Sequence, residues 1–232
     1  MAGTPVIAVD CGRIGFEHGL RLQRDAVAGR GAGRVDDLLL VCEHERVYTT
    51  GWRADIANVR NAGDIPVVRA DRGGDVTYHG PGQVVVYPII RLTGRRRVRA
   101  YIDGLERACI AVAARYGVRA HASDGRPGVW VGNDKLAAIG VRIQREATSH
   151  GLAFNVSPDL DDYAGIIACG LADAGVCSLE SLGVTATTTE VARRLVDALS
   201  TTLARPVTAW TTPAELGLQS GRAVLTHAYT VA

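Results

Sequence analysis

Residues 72 to 83, Arg72-Gly73-Gly74-Asp75-Val76-Thr77-Tyr78-His79-Gly80-Pro81-Gly82-Gln83, restrict the possible folds of this chain more than any other stretch. Four glycines and a proline fall within eleven residues, so the backbone here must turn sharply or approach something closely. The stretch runs directly into Val84-Val85-Val86-Tyr87-Pro88-Ile89-Ile90, which is β-branched and uncharged and reads as a buried strand. A polar, glycine-rich loop held against a buried strand can be a plain hairpin connection. It is also a typical place for a binding site, and Arg72, Thr77, Tyr78 and His79 would furnish it with donors, a ring and a titratable group.

The other segments that frame this loop mix strands and helices without a strict alternation. Pro5 to Val9, Leu38 to Cys42 and Pro66 to Arg69 read as strands, and Glu43 to Trp52 as a polar loop. Gly15 to Arg30 reads as a surface helix. Residues 98–116 form a stronger one, with Ile102, Leu105, Cys109, Val112 and Ala113 at helical spacing. Gly128 to Val131 and Lys135 to Ile143 read as a hairpin around an Asn133-Asp134 turn, and Thr148 to Val156 as a further strand. Asp159 to Ile167 reads as a short acidic turn or helix, and Thr189 to Ala204 as an amphipathic helix. Residues 206–232 show no motif and are assigned only peripheral packing. The pattern predicts one domain over residues 1–232, of α/β or α+β class, with a mixed sheet flanked by helices.

At 232 residues and a net charge of +2, the chain has no electrostatic bias towards nucleic acid or a membrane surface. No apolar run reaches spanning length and no basic-then-apolar leader opens the sequence, so the expected location is cytoplasmic. Five cysteines (Cys11, Cys42, Cys109, Cys169 and Cys177) contain no Cys-x-x-Cys pair and suit reduced thiols. His44-Glu45 lacks the spacing of a helical metal site, and no metal is expected.

One compositional fact bears on chemistry. Of 26 basic residues 25 are arginine, and Lys135 is the sole lysine. Guanidinium cannot exchange a proton near neutrality, whereas an amine can. Lys135 is therefore either a chance survivor or a residue with acid–base work. Cys169-Gly170 follows a turn, where a thiol is either structural or reactive. A nearby ammonium would favour the thiolate, and a Cys–Lys dyad accounts for both residues. His79 and His150, each beside a glycine, are either bases for a Cys–His hydrolase or loop caps. The arginines at 91, 95, 96, 97 and 99 form either a solvated face or a dock for an acidic partner.

Arg72 to Gln83 resembles the signature loop of the lipoyl(octanoyl) transferases of lipoate biosynthesis. Three further blocks follow in the family's order: Gly128 to Val131 through Lys135 to Ile143, His150 to Val156, and Ala168-Cys169-Gly170-Leu171. The resemblance spans about residues 4–205. It departs from the family pattern at Ala168 and Cys177, where proline and threonine are common. It implies the fold of the lipoate ligase and biotin ligase catalytic domains. It also implies a reaction in which Cys169 takes an octanoyl group from octanoyl-acyl carrier protein as a thioester. The acyl group then passes to a lysine of apo lipoyl domains, those of 2-oxoacid dehydrogenases and the glycine cleavage H protein. Lys135 is implied as the proton relay. No cofactor is required, because a thioester is already activated. Substrate contacts are implied at Arg72, Gly73, Gly74 and Asp75, at Val76, Thr77, Tyr78 and His79, at Ala138, Ile139 and Gly140, and at Gly151, Leu152 and Ala153. The competing readings are an ATP-dependent lipoate-protein ligase on the same fold and a non-catalytic acyl- or lipoyl-carrier binding protein.

Overall fold

A computed structural model describes residues 4–92, 94, 97–144, 146–171 and 173–218. The chain opens with a β–α–β crossover: strand β1 (Val6–Ile14), helix α1 (Phe16–Gly31) and strand β2 (Asp37–His44), which pairs with β1 in parallel. Next come β3 (Val47–Thr50), β4 (Val67–Arg69) and β5 (Val76–His79), which form a small sheet in the order β4-β3-β5. The chain then enters β6 (Gln83–Ile89), the predicted buried strand, every residue of which is buried.

Helix α2 (Arg97–Arg115) leads to an antiparallel run of four strands: β7 (His121–Ser123), β8 (Arg126–Val131), β9 (Asp134–Gln144) and β10 (Ala147–Asn155). The short β11 (Gly175–Val176), helix α3 (Thr188–Thr202) and β12 (Val207–Thr211) complete the described elements. The large sheet has nine strands in the order β12-β1-β2-β6-β10-β9-β8-β7, with β11 beside β9. It is mixed, as expected.

Helices α2 and α3 cover one face of this sheet, around Leu105, Val112, Phe154 and Leu195. Helix α1 covers the other face, and Leu22 and Ala26 pack there on Leu38, Leu40 and Val85. Period-two alternation along β6 makes the division: Val84 and Val86 join the first core, Val85 and Tyr87 the second.

Four readings are corrected. Residues 43–52 are not a loop throughout, because Val47–Thr50 is the buried central strand of the small sheet. Its mixed composition hid it, since Thr49 and Thr50 gain their partners only when β4 and β5 arrive from later in the chain. The glycine-rich stretch is likewise interrupted by β5. The hairpin turn before β9 sits on Gly132-Asn133, with Gly132 at φ +60°, and Asp134 already belongs to the strand. In the region assigned to peripheral packing, Val207–Thr211 adds an edge strand parallel to β1. Residues 219–232 lie outside the described residues, as do Arg95 and Arg96 of the arginine cluster. Of its other members, Arg91 pairs with Glu146 and Arg99 with Asp103.

Candidate active site

Lys135 is the second residue of β9, and β11 fixes that strand end by pairing Val176 with Lys135. Its side chain is buried (6% exposed) in space left by Gly128, whose φ of +129° suits glycine; a Cβ there would stand 3.3 Å from Lys135 Cε. The ammonium sits over the buried Trp130 ring, 4.5 Å from its centroid, and donates to Cys169 Sγ at 2.8 Å. A cation–π contact and a sulfur acceptor hold the amine in place of solvent.

Cys169 lies in a single 3₁₀ turn, Ala168–Gly170, at φ +58° and ψ +17°. This left-handed conformation is costly for a residue with a Cβ, of order 1–3 kcal/mol, and persists only where the surroundings enforce it. They do so here through Asn58. Its carbonyl accepts from Ile167 N at 2.7 Å, and its Nδ2 donates to Asp75 Oδ2 at 2.9 Å. A Cβ on Gly170 would stand 2.7 Å from that same Asp75 oxygen. The Gly170 and Leu171 N–H groups are used within the turn, on Ile167 O and Ala168 O.

The other four cysteines are also free thiols but lack an ammonium. Burial pushes Cys11 and Cys177 up to about 12, with the Asp10 and Asp134 carboxylates adding to the effect, and raises Cys42 and Cys109 as well. Of the described thiols, Cys169 is the one with an ammonium as its hydrogen-bond donor.

Cys169 and Lys135 stand in a cavity of ≈ 400 Å³. All the residues singled out from the sequence line it, except Val76 and Tyr78. Strand alternation explains the exceptions: Thr77 and His79 face the cavity, while Val76 and Tyr78 turn into the core of the small sheet. The Arg72–Gly74 loop packs on β9 opposite Gly140, where a Cβ would stand 3.1 Å from Gly73 O. Gly151 makes room for backbone of the neighbouring strand, since a Cβ would meet Val86 O at 2.2 Å. Sequence reasoning missed Phe16, Val85, Tyr87 and Arg53 on the cavity wall. Each looks like ordinary core or surface in its own segment, and only the fold brings it there.

Arg72 is buried (7% exposed) and donates to Thr49 O at 2.7 Å, Thr49 Oγ1 at 2.8 Å and Gly73 O at 3.0 Å. Burial lowers its guanidinium from the ordinary value, and the Cys169, Tyr87 and Asp75 groups push the other way. The histidines serve the wall. His79 Nδ1 bonds to Gln83 Oε1 at 2.7 Å, and His150 Nε2 to Asp71 Oδ1 at 2.8 Å. Burial first, helped by the neighbouring His44 for His79 and by the Arg72 charge for His150, lowers both rings to about 3. His150 therefore meets Asp71 as a neutral donor, with burial and then the Arg72, Arg142 and Arg24 charges opposing its protonation. Both rings are bonded elsewhere than to Cys169, which leaves Lys135 as its partner.

This chain has a wide set of relatives. The lipoyl protein ligase A/B catalytic domain family matches residues 16–200. The octanoyltransferase of Nocardia farcinica is 43% identical, over 81% of this chain and 78% of that protein. Among solved structures, a bipartite lipoate protein ligase from Thermoplasma acidophilum superposes with a TM-score of 0.72 at 15% identity, covering 93% of this chain and 90% of that one. The biotin protein ligase of Aquifex aeolicus reaches a TM-score of 0.50 at 11% identity, over 88% and 70%. The two solved structures share the fold that the sequence resemblance implied. By family match and by close sequence relatives, this chain belongs to the octanoyltransferases of the lipoyl protein ligase A/B catalytic domain family.

Proposed function

We propose that the chain transfers an octanoyl group from a carrier-bound thioester to a protein lysine, with Cys169 as nucleophile and Lys135 as proton relay. The observation that carries this reading is the 2.8 Å contact between Lys135 Nζ and Cys169 Sγ inside an apolar-walled cavity. The ammonium stabilises a thiolate by charge and hydrogen bond, and the thiolate is the nucleophilic form of cysteine.

The thiolate attacks the thioester carbonyl, forming a new S–C bond. Negative charge develops on the carbonyl oxygen beside Lys135 and Arg72, whose positive charges act strongly in a water-poor pocket. The intermediate collapses by breaking the donor's S–C bond, and the departing carrier thiol takes a proton from Lys135. In the second half, the acceptor lysine's free amine attacks the Cys169 thioester. Lys135 accepts the proton released as the amide forms, and Cys169 leaves as thiolate. A guanidinium could supply charge at this position but not exchange the proton.

In this reading the donor is octanoyl-acyl carrier protein, and the acceptors are apo lipoyl domains, including the glycine cleavage H protein. Five free thiols suit a reducing compartment, the cytoplasm. None of the described helices is long and apolar enough to cross a membrane.

The experiment mixes the protein with octanoyl-acyl carrier protein and an apo lipoyl domain, with neither ATP nor free acid. Octanoylation of the domain, seen as a mass increase, is the expected result. Modification that appears only when ATP and octanoate are added would overturn the reading in favour of a ligase.

A further inference from the structure

The cavity that holds Cys169 and Lys135 extends across the large sheet. Its floor crosses three adjacent strands, and one row of paired residues marks the path: Ala138 on β9, Ala153 on β10 and Val85 on β6. The side chains along this row are small, so the floor is a shallow apolar trough. The Arg72–Asp75 loop, Thr77 and His79 also line the cavity. The next residue in the row is Cys42 on β2, which no longer lines the cavity.

Tyr87 and Phe16 add two rings to the cavity wall. Tyr87 Oη donates to His44 Nε2 at 2.7 Å, and His44 Nδ1 donates to Ile14 O at 2.9 Å, so Tyr87 is fixed by a polar chain. Phe16, the first residue of α1, lies parallel to the His79 ring with centroids 5.8 Å apart. It meets the His44 ring edge-on at 5.3 Å. Both Phe16 and Tyr87 face the cavity. Phe16 packs on Leu20, Val47 and Ala70 with no polar tether, so of the two rings it is the one whose size can be changed without breaking a hydrogen bond.

Two inter-strand steps carry the row from Ala138 on β9 to β6, the strand that bears Tyr87, about 10 Å in all. An extended eight-carbon chain is about 9 Å long from its bond lengths. We infer that Phe16 is the end stop of the acyl channel and sets the length of chain the enzyme accepts. This rests on the acyl-transfer reading above, and it adds a specificity-determining residue that the four sequence blocks do not contain.

The test measures kcat/KM for hexanoyl, octanoyl, decanoyl and dodecanoyl thioesters of the carrier protein in wild type and in Phe16→Ala, Phe16→Leu and Phe16→Trp. Phe16→Ala should raise the dodecanoyl-to-octanoyl ratio by roughly ten- to a hundredfold, the scale on which a pocket distinguishes added methylenes. Phe16→Leu should shift it less, and Phe16→Trp should favour hexanoyl. A mere loss of packing would lower all four rates together and leave the ratios alone. Unchanged ratios in variants that still transfer octanoate would overturn the stop. Calorimetric binding of free octanoic and dodecanoic acids to the same variants separates the two claims. If wild type fails to transfer but Phe16→Ala gains dodecanoate affinity, the stop stands and the transfer reading falls. If neither transfer nor binding preference moves, the stop falls as well.

Discussion

Three histidines near the channel wall show what single residues contribute by staying uncharged. Burial is the leading cause for each: His44 is held at about 4, and His79 and His150 at about 3, against an ordinary value near 6.5. In the unfolded chain they take up protons as pH falls below 6.5, while the folded protein refuses them until pH 3–4. The unfolded state thus binds more protons across that window, so stability rises with pH there and is lost on acidification. Each ring adds at most about 1.4 kcal/mol per pH unit to the slope. Urea unfolding at pH 7.5, 6.5, 5.8 and 5.0 should give a near-level upper range and a steep fall below. His79→Gln should reduce the slope by about one proton. A flat profile from 6.5 to 5.0 would mean that these rings are not the neutral, buried groups described. The residue scale also shows what a sequence can and cannot disclose. Cys169 and Lys135 were legible because a lone lysine and a Cys-Gly turn are chemically odd wherever they fall. Asn58 and Phe16 were not, because an asparagine in a loop and a phenylalanine at a helix start are unremarkable until the fold brings them to the Cys169 turn and the cavity wall.

At the level of elements, local pattern located the long strands and all three helices, since a buried strand such as β6 and an amphipathic helix such as α3 carry their periodicity in consecutive residues. Strands β3 and β5 escaped because each is four residues long and polar in part, and their burial comes from pairing with each other across 25 intervening residues. Glycine roles were half legible. A glycine-rich loop signals close approach, but not of what to what. At Gly151 the close neighbour is the carbonyl of Val86, so the residue lets β6 and β10 pack tightly as well as facing the cavity. Gly151→Ala should therefore destabilise the fold by about 1–3 kcal/mol, the usual cost of overpacking, and lower transfer of every acyl length alike. Thermal melts beside a chain-length series check this. Wild-type stability with a selective loss of longer chains would show that the position is a channel contact only.

Over the whole molecule, two packed layers share one sheet but do different work. The face under α2 and α3 is a conventional apolar core. The face under α1 grades from core at Leu38 and Leu40 into the channel at Val85 and Ala153. Lys135 and Cys169, the proposed reacting pair, come from β9 and a 3₁₀ turn 34 residues apart in sequence, so their contact is a product of topology and not of any local motif. Intact mass of the protein after mixing with octanoyl-acyl carrier protein probes that pairing most directly, for wild type, Cys169→Ala and Lys135→Arg. Wild type should gain one octanoyl group, Cys169→Ala none, and Lys135→Arg should acylate about a hundredfold or more slowly, as expected when a proton-transfer group is lost. An adduct retained in Cys169→Ala, or Lys135→Arg acylating at the wild-type rate, would contradict the dyad.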